Sequence, residues 1–534
     1  MNKKIIGIFV CTLLITILIP MTTLSTEIKS KTSSNNPSGD DIYEQKLLEI
    51  QKGIKEKNAN WTAGYTTVFG PNAEFEPCCG VIDEKTTRSE NQSVDFQGPL
   101  PSEYDWRNVN GTNWMTSVKN QGGCGSCVAF ATLSALEAVV QIEKRKTFDC
   151  DLSEAFLFYC GGGTCSGGWY FDKAASFVSS TGVPDELCFP YQAVDTPCAQ
   201  HAQNWNTRIV KASNGQCGSP EDIKKAVVKY GPLLTNMDVY EDFQAYRGGI
   251  YEHVSGAYKA GHGATIVGYK DDKSIDTGGY WICKNSWGTG WGENGYFRIK
   301  YEECKIGDTT YYFDKVTGNI PPFAPTYPHP FDRETNVDLT VNLSWTPSQD
   351  LNGEKVYYTV YLNNDKIANK TVTPFIIVTG LKYSTVYSWK VIAEDERGSQ
   401  SGGVKWAFGT RAPFKPIING TNEGKIKTEY TYTALVPDTD SDGQQYYWFF
   451  DWGDKTNSGW LGPYNPSYEE RATHSWTEKG DYTIKVIYKV DSASSDTATL
   501  PVTMPCSIIV STPFMQFLQS HPSLFPILQK IFQR

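Results

Sequence analysis

Gln121-Gly122-Gly123-Cys124-Gly125-Ser126-Cys127 runs directly into Val128-Ala129-Phe130-Ala131-Thr132-Leu133-Ser134-Ala135-Leu136-Glu137. A glycine-rich polar turn gives way to apolar residues at helical spacing (Phe130, Leu133, Leu136, Val140), which predicts a loop entering a buried helix. Cys127 then stands at or near the helix N-terminus, where unsatisfied backbone N–H groups and the positive end of the dipole favour an anion. A thiol held there loses its proton more readily and becomes a nucleophile. Alone, Cys124-x-x-Cys127 also suits a redox pair or half of a metal site. Against these, no thioredoxin-like strand order surrounds it, and no second Cys-x-x-Cys or spaced His pair follows, so no metal is expected.

With four further segments, the stretch resembles the papain-like cysteine peptidases. Leu100-Pro101-Ser102-Glu103-Tyr104-Asp105-Trp106-Arg107 resembles the mature N-terminus of that family. Cys160-Gly161-Gly162-Gly163-Thr164-Cys165-Ser166-Gly167-Gly168-Trp169-Tyr170 resembles its Cys…Gly-Cys-x-Gly-Gly segment. Gly261-His262-Gly263-Ala264-Thr265-Ile266-Val267-Gly268-Tyr269, with the His expected at a strand start before a β-branched run, and Gly279-Tyr280-Trp281-Ile282-Cys283-Lys284-Asn285-Ser286-Trp287-Gly288 resemble its His strand and its Asn-Ser-Trp strand, the latter leading into a hairpin at Trp291 to Ile299. One departure stands beside the nucleophile: Val128 replaces the usual aromatic.

The resemblance implies an α+β two-lobed peptidase domain, a helical lobe plus a β-barrel-like lobe, without a cofactor. It makes Cys127 the nucleophile, His262 the proton carrier in an ion pair with the Cys127 thiolate, and Asn285 the group that holds the imidazole in its working tautomer. Trp287 would shield that hydrogen bond, and Gln121 with the backbone N–H of Cys127 would receive the oxyanion. Of the three histidines in the catalytic region, His201, His253 and His262, only the last sits in a family motif. Gly167 and Gly168 would admit a substrate strand where no Cβ intrudes, with Trp169 and Tyr170 lining the pocket beyond; core packing is the alternative for either aromatic. Disulfides Cys124–Cys165 and Cys160–Cys198 also follow from the resemblance, whereas Cys150–Cys188 is our own expected third pair. Cys217, Cys283 and Cys304 are left unassigned.

Length and composition bound the rest. The 534 residues are too many for one core. The net charge of −10 without a long basic run argues against nucleic acid as a partner. Met1-Asn2-Lys3-Lys4 precedes a nearly continuous apolar run to Met21, so residues 1–26 read as a secretory signal, a retained anchor being the alternative. The 14 cysteines, concentrated between 124 and 304, fit an oxidising compartment, and hence a secreted or cell-surface location. Sequons stand at Asn60, Asn110, Asn342, Asn369 and Asn419.

Residues 27–99 read as a propeptide with one amphipathic helix (Ile42, Leu47, Leu48, Ile50, Ile54). Trp61-Thr62-Ala63-Gly64 after it resembles the short propeptides of cathepsin B-like members, in which the pro-segment crosses the cleft in reverse. Adjacent Cys78 and Cys79 cannot easily bridge each other. The peptidase domain is expected at 100–317.

From 318 the composition shifts. Pro321, Pro322, Pro325, Pro328 and Pro330 read as a stiff linker. Short alternating strands then predict two all-β immunoglobulin-like sandwiches. Residues 318–410 resemble a fibronectin type III domain, and 411–504, with Tyr447 to Asp454, His474-Ser475-Trp476 and Gly480 to Ile484, a PKD-type domain. Asp438, Asp440 and Asp442 could seat Ca²⁺, but no carboxylate follows at the twelfth position of an EF-hand loop, and a solvated turn is preferred. The tail, 505–534, could be an amphipathic helix interrupted by Pro522 and Pro526.

The expected function is therefore a secreted thiol endopeptidase made as a zymogen, acting on proteins or peptides and inhibited by its own propeptide. No paired-histidine blocking loop of an exopeptidase occurs. The sandwiches would hold it to a surface, glycan or polymer, or act as spacers. The rivals are an adhesion protein with an inactive peptidase domain, and acyl transfer to an amine. Neither is signalled by the residues: nucleophile and histidine are both present, and nothing marks a water-excluding lysine site.

Overall fold

The computed structural model describes residues 39–77, 80–82, 93–402, 404–437, 445–465, 469–490 and 492–505. The leader, Cys78, Cys79, Asp438, Asp440, Asp442, Cys506 and the apolar tail lie outside the described residues.

Helix α1 (Gly39–Glu56) carries the predicted amphipathic pattern. Ile50 is buried, and Tyr43, Leu47 and Ile54 pack beside it on the core of the catalytic region. The chain then adds strand β1 (Trp61–Ala63) to a nine-stranded sheet, antiparallel to β5 (Tyr246–Tyr251). Trp61 is held between Tyr246 and Tyr251, burying the large apolar ring that fixes this segment.

The remaining strands of that sheet are β2 (Glu103–Asp105), β3 (Val210–Cys217), β4 (Leu233–Tyr240), β6 (Tyr258–Asp271), β7 (Gly279–Lys284), β8 (Tyr296–Lys300) and β9 (Thr310–Gly318). Their order is β1-β5-β8-β7-β6-β4-β9-β3, with β2 on β6. Facing them are α2 (Cys127–Lys144), α3 (Glu154–Cys160) and α4 (Phe171–Ser180), around one core, while α5 (Pro220–Tyr230) packs in the core on the sheet side. The ends of α3 and α5 follow their caps: Ser153 accepts from Phe156 N, and Ser219 from Asp222 N with Pro220 at the first turn. Two lobes, one mainly helical and one mainly β, thus meet along α2 and β6. No helix among the described residues is long and apolar enough to cross a membrane.

Beyond β9, a three-stranded sheet (Thr326–His329, Val341–Thr346, Phe375–Val378) faces a six-stranded one built on Val386–Glu394. A second pair of sheets, of three and five strands, follows between Ile417 and Met504. Trp389, Trp448 and Trp476 are buried at the centres of these pairs.

Three expectations are corrected. Cys150 and Cys188 are free thiols, not a disulfide. Each sits among its own charged neighbours, Cys150 near Glu137 and Asp151, and Cys188 near Arg208 and Asp185. His262 lies within β6 rather than at a strand start, because pairing with β4 continues back to Tyr258. The proline-rich segment is not a spacer at its beginning: residues 319–322 are buried between peptidase and sandwich.

Candidate active site

The first residue of α2 is Cys127, fully buried and not disulfide-bonded, behind a loop that two bonds hold in place. The Cys124–Cys165 disulfide joins the loop to the Gly167-Gly168 segment, and Gly125 N donates to Cys165 O at 2.9 Å. A second disulfide, Cys160–Cys198, lies further out. His201 approaches its sulfurs, but both are already joined to each other, so the group offers no thiolate for a metal.

Across the lobe boundary, β6 lies close against the start of α2. A Cβ added at Gly263 would come within 3.0 Å of Cys127 O and 3.2 Å of Val128 Cα, so the residue after His262 must be small. Thr265 Oγ1 donates to Ala131 O at 3.1 Å, a second tie between β6 and α2. Val128 is fully buried under this contact.

The ring of His262 is oriented from behind. Its Nε2 lies 2.9 Å from Asn285 Oδ1, which also accepts from Ser286 N at 2.8 Å. An oxygen that already takes a backbone N–H must also be an acceptor toward the ring, so Nε2 carries the proton and Nδ1 is left basic. Trp287 covers this bond, 5.0 Å from the imidazole between centroids, and both residues are fully buried. Burial pushes the His262 pKa down to about 4, only partly offset by the bond to Asn285, so the ring is neutral in this state.

On the other side of Cys127, Gln121 is fully buried. Its Nε2 donates to Cys124 O at 2.8 Å, its Oε1 accepts from Ser286 Oγ at 2.6 Å, and its main chain pairs with Ser286 O. Tyr191 OH donates to Gln121 O at 2.8 Å and meets Ser126 Oγ at 2.7 Å. The amide therefore has one fixed orientation.

A strip of the chain's own N-terminal region occupies the cleft. Trp169 N donates to Gly80 O at 2.7 Å, Ile82 N to Trp169 O at 3.1 Å, and Val81 N to Gly261 O at 3.2 Å. The strip runs parallel to the Trp169 backbone and spans both lobes. Gly80 fits because Gly125 and Gly168 face it without side chains. The Trp169 indole turns away from this cleft backbone into the helical core, where Nε1 donates to Gly161 O. Tyr170 precedes α4, half-buried, with Lys173 Nζ 3.8 Å above its ring.

Behind Asn285 lies a charge cluster. Half-buried Lys119 Nζ reaches buried Glu137 at 2.9 Å and Glu154 at 2.7 Å and exposed Asp151 at 2.6 Å, and buried Lys284 Nζ donates to Thr116 O. Burial raises Glu154 to about 7 and lowers Lys284 to about 8. Sequence reasoning assigned no role to Ser286, Tyr191, Gly263 or this cluster. Ser286 lay inside a quoted motif, whereas Tyr191 carried no local signal beyond its Pro-Tyr context.

Residues 100–313 match the family described as papain family cysteine protease. Cathepsin B-like CP3 of Giardia intestinalis is 35% identical over 275 residues, covering 47% of this chain and 89% of that protein. A cathepsin L-like protein of Caenorhabditis elegans is 35% identical over 248 residues, covering 44% of this chain and 66% of that protein. The solved digestive procathepsin L 3 of Tenebrio molitor larval midgut shares 25% identity over 54% of this chain and 95% of its own, with a TM-score of 0.42. The chain belongs to the papain family of cysteine proteases.

Proposed function

We propose that this chain is the zymogen of a secreted thiol endopeptidase with a Cys127-His262-Asn285 site. The observation that carries the proposal is the His262 ring, bonded through Nε2 to Asn285 under Trp287, on a strand packed against the residue at which the Cys127 helix begins.

Once the strip at residues 80–82 leaves, water reaches the imidazole and the cost of charging it falls. His262 takes the Cys127 proton at Nδ1, giving a thiolate beside the α2 N-terminus. Sulfur attacks the peptide carbonyl carbon. The oxyanion receives N–H groups from Gln121 Nε2 and Cys127 N. His262 returns its proton to the leaving amine as the C–N bond breaks, then takes one from water, whose oxygen cleaves the thioester and regenerates the thiol. Asn285 keeps Nδ1 toward sulfur throughout, and Ser286 and Tyr191 hold Gln121.

Removal of the segment before Leu100 would be the activating cut. The lack of a paired-histidine loop supports internal cleavage. The two β units are read as fibronectin type III-like and PKD-like sandwiches, the outer one free to hold a surface, glycan or polymer. The test is hydrolysis of denatured protein at acid and neutral pH under mild reductant, beside a Cys127→Ala twin. Activity in the parent alone supports the reading; equal activity in both, or none in a folded and processed parent, overturns it.

A further inference from the structure

Papain-type chemistry needs no C-terminal sandwich, yet the first one is locked to the helical lobe. Asn319 and Ile320 are almost wholly buried. Phe323 stacks on Phe148 at 4.9 Å, and Leu351 packs against the core of the helical lobe. Buried Asn319, Ser399 and Arg208 are joined here: Asn319 Nδ2 donates to Ser399 Oγ at 2.7 Å, and Ser399 Oγ reaches Arg208 O at 3.4 Å. At the exposed rim Thr207 Oγ1 donates to Arg397 O at 2.7 Å. Buried polar atoms satisfied only by docking make separation costly, unlike the wet contact of a swinging arm.

The contact falls on one particular ion pair. Arg208 holds Asp185 through Nε at 2.8 Å and through Nη2, and both residues are buried. Arg208 Nη2 also reaches Gln400 Oε1 at 3.4 Å, from the short sandwich strand Gln400–Gly402. Asp185 is followed by Glu186, whose Oε1 accepts from Tyr191 N at 2.6 Å. Tyr191 in turn binds Ser126 and Gln121 O and packs edge-on against Phe130, 4.8 Å away.

We propose that the first sandwich is a fixed part of the catalytic unit: the turn at 397–402 clamps the Asp185–Arg208 pair, and residues 185–191 pass that support to Gln121 and Ser126. Gln400 is then a positioning residue for the oxyanion side, and the sandwich is a buttress rather than a tether. This inference rests on the catalytic reading above for its kinetic part, though not for its docking part.

The test uses the full chain after processing, as parent, Gln400→Ala and Phe323→Ala. In Gln400→Ala, kcat on a peptide substrate falls between about twofold and thirtyfold with KM nearly unchanged. Alkylation of Cys127 by iodoacetamide, which needs the thiolate and His262 but no oxyanion site, keeps the parent rate. Thermal unfolding shows the peptidase and first sandwich melting together, at lower temperature in Phe323→Ala. An unchanged kcat in folded Gln400→Ala, or alkylation slowed in step with kcat, overturns the coupling to Gln121. Separate melting of the two units in the parent overturns the docking. A parent that hydrolyses nothing defeats the catalytic reading instead, and the melting arm still decides whether the sandwich is part of the unit.

Discussion

Gly80→Ala probes the blocked cleft most sharply. The added Cβ would lie 2.4 Å from Gly125 O, 2.7 Å from Gly168 Cα and 2.8 Å from Gly125 Cα. All three are backbone atoms, pinned by the Cys124–Cys165 disulfide, so no flexible side chain can yield. The strip must lift, weakening its bonds to Trp169 and Gly261. Overpacking of this kind costs about 1–3 kcal/mol, and hence about 5- to 150-fold in the closed-to-open ratio. Gly64→Ala, in the same pro-segment, is the control, since its Cβ meets only the Arg247 side chain, at 3.2 Å. The assay is alkylation of Cys127 in the unprocessed chain at neutral pH, read by peptide mapping. Faster labelling in Gly80→Ala but not in Gly64→Ala is expected. Equal rates in all three would refute the packing argument.

Other consequences follow from burial and charge. Asp395, buried beside the sandwich–peptidase junction, is raised to about 6 from 3.8 by burial. Its contribution is full below 3.8 and lost as pH rises through about 6, so Asp395→Asn should raise the melting temperature at pH 7 and flatten its pH dependence; an unchanged profile would count against this burial. Mapping without reduction should find Cys150 and Cys188 alkylated after denaturation, and Cys124, Cys165, Cys160 and Cys198 protected; a peptide pair linked through Cys150 would reverse our correction.

The catalytic motifs were legible because each is local. A glycine turn before an apolar helix and a histidine ahead of a β-branched run carry their geometry in a few residues. The pro-helix was legible for the same reason, its periodicity being visible from Ile42 to Ile54. What escaped was set by tertiary contact. Tyr191 holds Gln121 from 70 positions away in the chain, and no short spacing announces that. Trp169 faces the cleft with its backbone and the core with its ring, a split that residue type does not reveal. The prolines at 321 and 322 suggested an exposed spacer; having no N–H to satisfy, they can be buried cheaply, and Ser401 Oγ donates to Pro322 O there. Cys150 and Cys188, expected as a third bridge, are separate buried thiols.

The central claim is that His262 activates Cys127. The most direct measurement is the pH dependence of Cys127 alkylation in the processed chain, beside His262→Ala. The account predicts labelling in the parent that is already fast near pH 5, far below the titration of an ordinary thiol at about 8.5, and its collapse in the variant to a single rise near that value. The same simple-thiol curve in both proteins would contradict it.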